Sequence, residues 1–238
     1  MSTQALPPGR PHGNSEIPPL IAGDRLTREE FHLRYQAMPH VKKAELIEGR
    51  VYMPSPASLA GHSAPHADLL TWLGNYRAYT PGVQTGDNGT LLLDLDNEPQ
   101  PDALLRILPE YGGQSRTVDD YVQGAPELVA EVAASSASYD LHDKLNAYRR
   151  NGVREYVVWL TWDRAIDWYV LRKGRYEAAS AHWDAFHRSE VFPGLWLDTA
   201  AMLRGDLARV LAVLQQGLAS TAHAEFVLRL AKYHGESH

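Results

Sequence analysis

Three carboxylates of this chain stand in apolar surroundings, where an ionised group is costly. Asp102 opens the run Ala103-Leu-Leu-Arg-Ile-Leu108. Glu131 lies near the end of Leu128-Val-Ala-Glu-Val132, and Glu45 follows Ala44 in Ala44-Glu-Leu-Ile47. Buried acids are held by a metal, by a cationic partner, or with a raised pKa. If the first two runs are strands paired antiparallel, the beginning of one lies beside the end of the other. Asp102 and Glu131 then meet. The alternative is that each acid marks a solvated strand end, a position that is often polar.

Lys144 bears on that choice. Leu141, Leu145 and Tyr148 recur at i, i+4 and i+7 and define the buried stripe of a helix. Lys144 borders that stripe, so its ammonium either snorkels to water, pairs with Asp140 at i, i+4, or turns inward toward Glu131. Two carboxylates and a lysine suit one chemistry well. The acids can hold Mg²⁺ or Mn²⁺ through oxygen, with water and a substrate phosphate completing the coordination. The metal lowers the pKa of a bound water, and the lysine orients that water or stabilises charge developing on phosphorus.

The elements that must position these groups are legible from periodicity and breakers. Residues 1–24 are rich in Pro, Gly and polar types and read as a mobile arm. Thr27-Arg-Glu-Glu30 has the capping-box pattern and starts a helix that runs to 38. Apolar arms around Glu48-Gly49 predict a hairpin carrying Glu45. A helix is expected over 62–79 and strands over 90–94 and 102–108, followed by a long connection over 109–126. Strand 127–133, helix 139–150 closed by Asn151-Gly152, and strand 154–161 form a βαβ unit with parallel strands and a right-handed crossover. Meander strands follow over 165–172 and 175–178, then two amphipathic helices over 199–215 and 221–233, joined near Gly217. The sum is one α/β domain with tails at both ends.

At this point an ordered series of motifs matches a known family. It runs Glu45-Leu-Ile-Glu-Gly-Arg-Val-Tyr52, Ser55-Pro56 with His62, Gln100-Pro-Asp102, Ala125-Pro-Glu-Leu-Val-Ala-Glu131-Val, Asp140-Leu-His-Asp-Lys144-Leu-Asn-Ala-Tyr148 and Gly152-Val-Arg-Glu-Tyr156. The chain resembles the Uma family of restriction-endonuclease-like proteins, within the PD-(D/E)XK nuclease superfamily, over about residues 27–200. The resemblance implies a mixed β-sheet core flanked by helices over 25–198, with a C-terminal helical extension over 199–238. It also implies a divalent-metal phosphodiesterase site. Pro101-Asp102 looks like the PD element, Glu131 like the second acid, and Glu45 like an early glutamate contributed from outside the central strands. Glu48 competes with Glu45, but its place in the tight turn favours a structural role. His62 corresponds to a histidine at the start of the following helix, where it touches phosphate or water, or caps and packs. The superfamily's E-x-K lysine would fall at 133, where this chain has Ala133; Lys144 looks like the relocated lysine. The segment after Glu131 lacks the Ser-Pro-Ser-Thr run expected of the family.

Composition narrows the alternatives. With 44% hydrophobic residues and 22% charged, the 238-residue chain is of ordinary globular make-up. A net charge of −6 advertises no general affinity for nucleic acid, so any such binding must be local. There are no cysteines, which removes disulfides, thiolate zinc sites and cysteine nucleophiles and fits a reducing, cytoplasmic setting. No signal-like start and no membrane-spanning run is read. His182 and His187 lack the spacing of a helical zinc pair, and His62 with His66 fits it only as an i, i+4 pair with no third obvious ligand. Ser135-Ser136 near His142 lacks a nucleophile elbow. Trp159, Trp162 and Trp168 read as packing the sheet rather than stacking bases. Arg149, Arg150 and Arg154, with Lys42-Lys43, are the best basic groups, either as phosphate contacts or as a solvated helix end. The C-terminal apolar stripe is covered by its own domain or by a second copy, the latter making a homodimer. The expectation is an endonuclease acting on DNA with Mg²⁺ or Mn²⁺, catalysed by Asp102, Glu131, Lys144 and Glu45, with His62, Arg149 and Arg154 on the substrate. The alternatives are a non-catalytic nucleic-acid- or protein-binding module on the same scaffold and, with no role for Lys144, a carboxylate-pair hydrolase of sugars.

Overall fold

The computed structural model describes residues 17–53, 58–134, 139–181 and 185–236. Residues 1–16 of the expected arm, and the segment 135–138 that departs from the family pattern, lie outside the described residues. From Ile17 the chain runs against the first hairpin, with Leu20 buried and the Gly23 N–H donating to the Val51 carbonyl. Helix α1 (Arg28–Gln36) starts at Thr27, whose hydroxyl accepts from the Glu30 N–H. Glu30 itself pairs with Arg34.

The hairpin is β1 (Glu45–Ile47) and β2 (Arg50–Tyr52), in register Glu45 to Tyr52. Both turn residues are left-handed, Glu48 at φ 51° and Gly49 at φ 71°, which matches the twist of a two-residue loop. A π-helical turn (Leu59–Ser63) leads into α2 (Ala64–Ala78).

The central sheet has six strands in the order β11-β10-β9-β8-β5-β3. These are β3 (Val83–Asp87), β5 (Ala103–Ile107), β8 (Leu128–Ala133), β9 (Glu155–Leu160), β10 (Ala165–Arg172) and β11 (Arg175–Ala178). β8 and β9 are parallel and every other neighbouring pair is antiparallel. The βαβ helix is a π-helical turn (Asp140–Lys144) continuing into α3 (Leu145–Asn151), closed by left-handed Gly152.

Two expectations are corrected here. β3 stands where the sequence reading places no strand, because an edge strand that buries little more than Val83 has no apolar alternation to betray it. The expected strand over 90–94 shrinks to β4 (Leu91–Leu92), which leaves the central sheet. It joins a small sheet with β6 (Arg116–Val118) and β7 (Tyr121–Gln123), a hairpin inside what read as a long connection.

Alternation sorts the strands onto two faces. Ala103, Leu105, Leu128, Ala130, Val132, Val157 and Trp159 pack with α2 and the C-terminal helices. Leu104, Val129, Ala133, Tyr156 and Val158 pack with Tyr148 and Leu145 of α3. A two-stranded sheet, β12 (His187–Arg188) and β13 (Trp196–Leu197), precedes α4 (Thr199–Leu203), α5 (Leu207–Leu218) and α6 (Thr221–Glu236). The expected helix over 199–215 is broken at Gly205, φ 72°, and restarts on the Asp206 cap. Gly217 lies inside α5 rather than at the joint, where a side chain would collide with the Gly194 carbonyl oxygen. Met202, Val210, Leu214, Phe226 and Leu230 join the main core, so the C-terminal stripe is covered by its own chain.

Glu155, wholly buried at the start of β9, ties down the 189–191 turn. Its carboxylate accepts from Ser189 Oγ at 2.7 Å and from the Glu190 and Val191 N–H groups. Burial, working against those donors, lifts its pKa from 4.5 to about 7. The folded protein therefore keeps a proton that the unfolded chain releases. The resulting stability is fully present below pH 4.5 and is lost as pH rises through 7. Relative to Glu155→Gln, the wild type is expected to lose up to about 3 kcal/mol between pH 5 and pH 8.5 in urea unfolding. Parallel pH profiles for the two proteins would refute the assignment.

Candidate active site

The register of β5 against β8 pairs Ala103 with Ala130, which sets Asp102 opposite Glu131 one step further on. Both side chains fall on the α3 face. They are joined by backbone: the Val132 N–H donates to Asp102 Oδ2 at 2.9 Å, and the Asp102 N–H to Glu131 Oε2 at 3.4 Å.

α3 and its preceding turn cover that face with two donors one turn apart. Lys144 Nζ lies 2.8 Å from Glu131 Oε1, and the Tyr148 hydroxyl donates to the same oxygen at 2.9 Å. Lys144 is thus neither snorkelling nor turned away; its side chain is 4% exposed. The hairpin brings Glu45, whose Oε1 is 3.0 Å from Lys144 Nζ and accepts the Gln100 N–H at 2.8 Å. Gln100 is steadied by Tyr35 and Thr90. The four residues expected to catalyse therefore share one buried cluster.

His62 reaches the cluster from the turn before α2, with Nε2 3.0 Å from Asp102 Oδ2. One turn on, His66 Nε2 lies 2.7 Å from the Asp102 carbonyl. Lys43, read from sequence only as one of a basic pair, places Nζ 3.1 Å from Asp102 Oδ1 and 2.9 Å from Asn88 Oδ1. The signal that finds it is its i, i+2 relation to Glu45, which puts both on one side of extended chain. Lys43 and His62 are the cluster's more open edge, with side chains 24% and 26% exposed.

Arg149 and Arg154 do not belong to it. Arg149 donates to the Gly174 carbonyl at the β10–β11 turn, and Arg154 donates to Gln114. Arg154 precedes β9, at the end of the sheet away from Glu131, so the crossover carries both arginines off the cluster. Glu48 pairs with Arg150, in keeping with a structural role for the turn.

The electrostatics follow from burial among opposed charges. Burial would raise the Asp102 carboxyl, but the His62 hydrogen bond and the ammonium groups of Lys43 and Lys144 hold it well below the usual carboxylate range. Burial would likewise pull Lys43 down, yet Glu45, Asp102 and Glu131 together raise it above 10.5. Tyr148 is pushed well above 10, first by burial and then by Glu131 and Glu45, so it remains a donating phenol.

Among the described residues no group of three or more His, Asp or Glu side chains is arranged to hold a metal ion. What the cluster offers is a pair of adjacent carboxylates, with three acids set against two ammonium groups. Hard oxygen donors in that number fit an ion such as Mg²⁺, which takes one or two protein carboxylates and leaves other positions to water and phosphate. Asp102 and Glu131 are the residues that would hold it.

Over residues 28–200 the sequence matches the model of the Uma2 family, described as "Putative restriction endonuclease". Among solved structures the chain is similar to one described as "a putative nuclease belonging to DUF820 from Anabaena variabilis ATCC 29413". The TM-score is 0.52 at 14% identity, covering 79% of this chain and 99% of that one. At that identity the likeness is one of fold, the mixed sheet flanked by helices of restriction-endonuclease-like proteins. No curated protein matches. Because the family match takes in every member of the buried cluster and most of the chain, this protein belongs to the Uma2 family.

Proposed function

We propose that the chain is a divalent-metal-dependent endonuclease that hydrolyses DNA phosphodiester bonds at the Asp102–Glu131 pair. The observation that carries this reading is the convergence of Asp102, Glu131, Glu45 and Lys144, from a strand end, a second strand, a hairpin and a helix, in a family described as "Putative restriction endonuclease". Mg²⁺ or Mn²⁺ bound there would acidify a water and neutralise charge on the phosphate.

The chain's own groups have separable tasks. Asp102, held ionised, and Glu131 provide the oxygen donors. Lys144, fixed between Glu131 and Glu45, directs N–H bonds at the attacking water or at a phosphate oxygen. Glu45 is the carboxylate beside it that can take up a proton. Lys43 and His62, on the open edge, face the incoming phosphate.

The test is supercoiled plasmid incubated with the purified chain in Mg²⁺, in Mn²⁺ and in EDTA. Nicked or linear product in the metal lanes only is expected. Intact plasmid together with an intact single-stranded DNA circle under the same conditions, or cutting that ignores EDTA, refutes the reading.

A second reading rests on one feature of the cluster. Both oxygens of Asp102 and of Glu131 already accept protein donors. A cluster satisfied in this way also suits a non-catalytic nucleic-acid- or protein-binding module. That reading predicts partner binding without cleavage, and indifference of that binding to Glu131→Gln.

A further inference from the structure

The sequence reading set Trp159, Trp162 and Trp168 together as packing residues. Trp159 and Trp168 do pack the sheet, but Trp162 is 72% exposed. It is the one tryptophan among the described residues that is counted as an exposed large apolar group. Nor does it form a ring contact among them.

Its place is specific. Trp162 follows β9, whose Val158 is the register partner of Glu131, so four residues of chain, at most about 14 Å, separate the indole's backbone from that position. The ring also borders the turn that carries His62: a Cβ built on Gly61 would lie 3.7 Å from Trp162 Nε1. Thr161 Oγ1 fixes this arrangement by donating to the Gly61 carbonyl at 2.9 Å. His62 in turn touches Asp102. The same π-helical turn presents Leu59, 76% exposed. Trp162 thus borders the turn that brings His62 to the cluster, and the same turn carries a second exposed apolar residue.

We propose that Trp162, next to the turn that carries Leu59, is a stacking platform for one unpaired base of a nucleic-acid strand whose phosphate lies at the Asp102–Glu131 cluster. The proposal rests on the nuclease reading above and adds a substrate class to it, single-stranded or locally unpaired nucleic acid. Size selects the occupant. An indole buries at most about 250 Å², whereas a stable protein interface needs about 800 Å² from each partner. A single base matches the smaller area. Any base has a face to stack, but in a closed duplex both faces are already covered, so the base must be free. The platform positions the strand; the chemistry stays with the carboxylates and Lys144.

The experiment measures binding and cleavage separately on the full chain. A short 5′-labelled single strand is titrated by anisotropy in EDTA with wild type, Trp162→Ala, Trp162→Phe and Leu59→Ser, beside a closed hairpin duplex. Trp162→Ala is expected to weaken single-strand binding about 10-fold or more, Trp162→Phe to recover most of it, and Leu59→Ser to lose less. In Mg²⁺, Trp162→Ala is expected to raise KM for the single strand with kcat unchanged. Because the side chain is exposed, unaltered far-UV circular dichroism is expected in every variant. Equal binding by wild type and Trp162→Ala overturns the proposal, as does an equal loss on the closed duplex, or no strand binding by wild type. If strand binding depends on Trp162 while wild type cleaves nothing in either metal, the platform stands and the nuclease reading alone fails.

Discussion

Lys144→Met is expected to cost about 3–5 kcal/mol of folding stability, the range for removing one partner of a buried ion pair. Methionine keeps the unbranched stem packed beside Tyr148, so the change is close to a removal of charge alone. Both Glu45 Oε1 and Glu131 Oε1 lie within 3.0 Å of the Lys144 nitrogen, and all three side chains are at most 5% exposed. Without the ammonium, two carboxylates face each other with little water to screen them. The measurement is urea unfolding at pH 7 of wild type and variant, with slopes compared so that a change in the unfolded state is recognised. A loss under about 1 kcal/mol would mean that the ammonium is solvated, as in an exposed pair.

Asp102→Asn is expected to reduce metal-dependent cleavage by about a thousand-fold or more. A metal site supplies several kcal/mol of charge stabilisation, and each 1.36 kcal/mol is a factor of ten in rate. The amide is nearly the same size as the carboxylate, so the β5–β8 register should survive and circular dichroism should be unaltered. Cleavage within tenfold of wild type would remove Asp102 from the chemistry. The same substitution has a signature in stability. The Asp102 carboxyl is held below its ordinary 3.8 by His62, Lys43 and Lys144, acting against burial. Its ionised form therefore contributes stability that is present above pH 3.8 and is lost as pH falls below it. Wild type should lose stability on acidification below pH 4 more steeply than Asp102→Asn.

Much of the cluster was legible because it depends on local periodicities. The parity of residues along 102–108 and 127–133 puts Asp102 and Glu131 on one face of an antiparallel pair, and the Ala103–Ala130 register sets them side by side. The i, i+4, i+7 spacing of Leu141, Leu145 and Tyr148 was read as a core stripe, yet Tyr148 also bonds Glu131. A tyrosine on a buried stripe needs a partner for its hydroxyl, and the nearby acid was the available signal. Arg149 and Arg154 lie off the buried cluster, the first against the β10–β11 turn and the second ahead of β9.

Alternation and helical spacing are properties of the chain itself, written wherever a face must be apolar. They specified the hairpin and the βαβ unit without reference to distant residues, whereas for Lys144 they gave only a place bordering the buried stripe, and its inward turn came from packing against Glu131 and Glu45. The contributions of Lys43, Glu45 and His62, the exposure of Trp162 and the edge strand β3 were settled only when separate elements packed. Each depends on which surfaces meet, and that is decided by burial summed over the whole core rather than by any local preference.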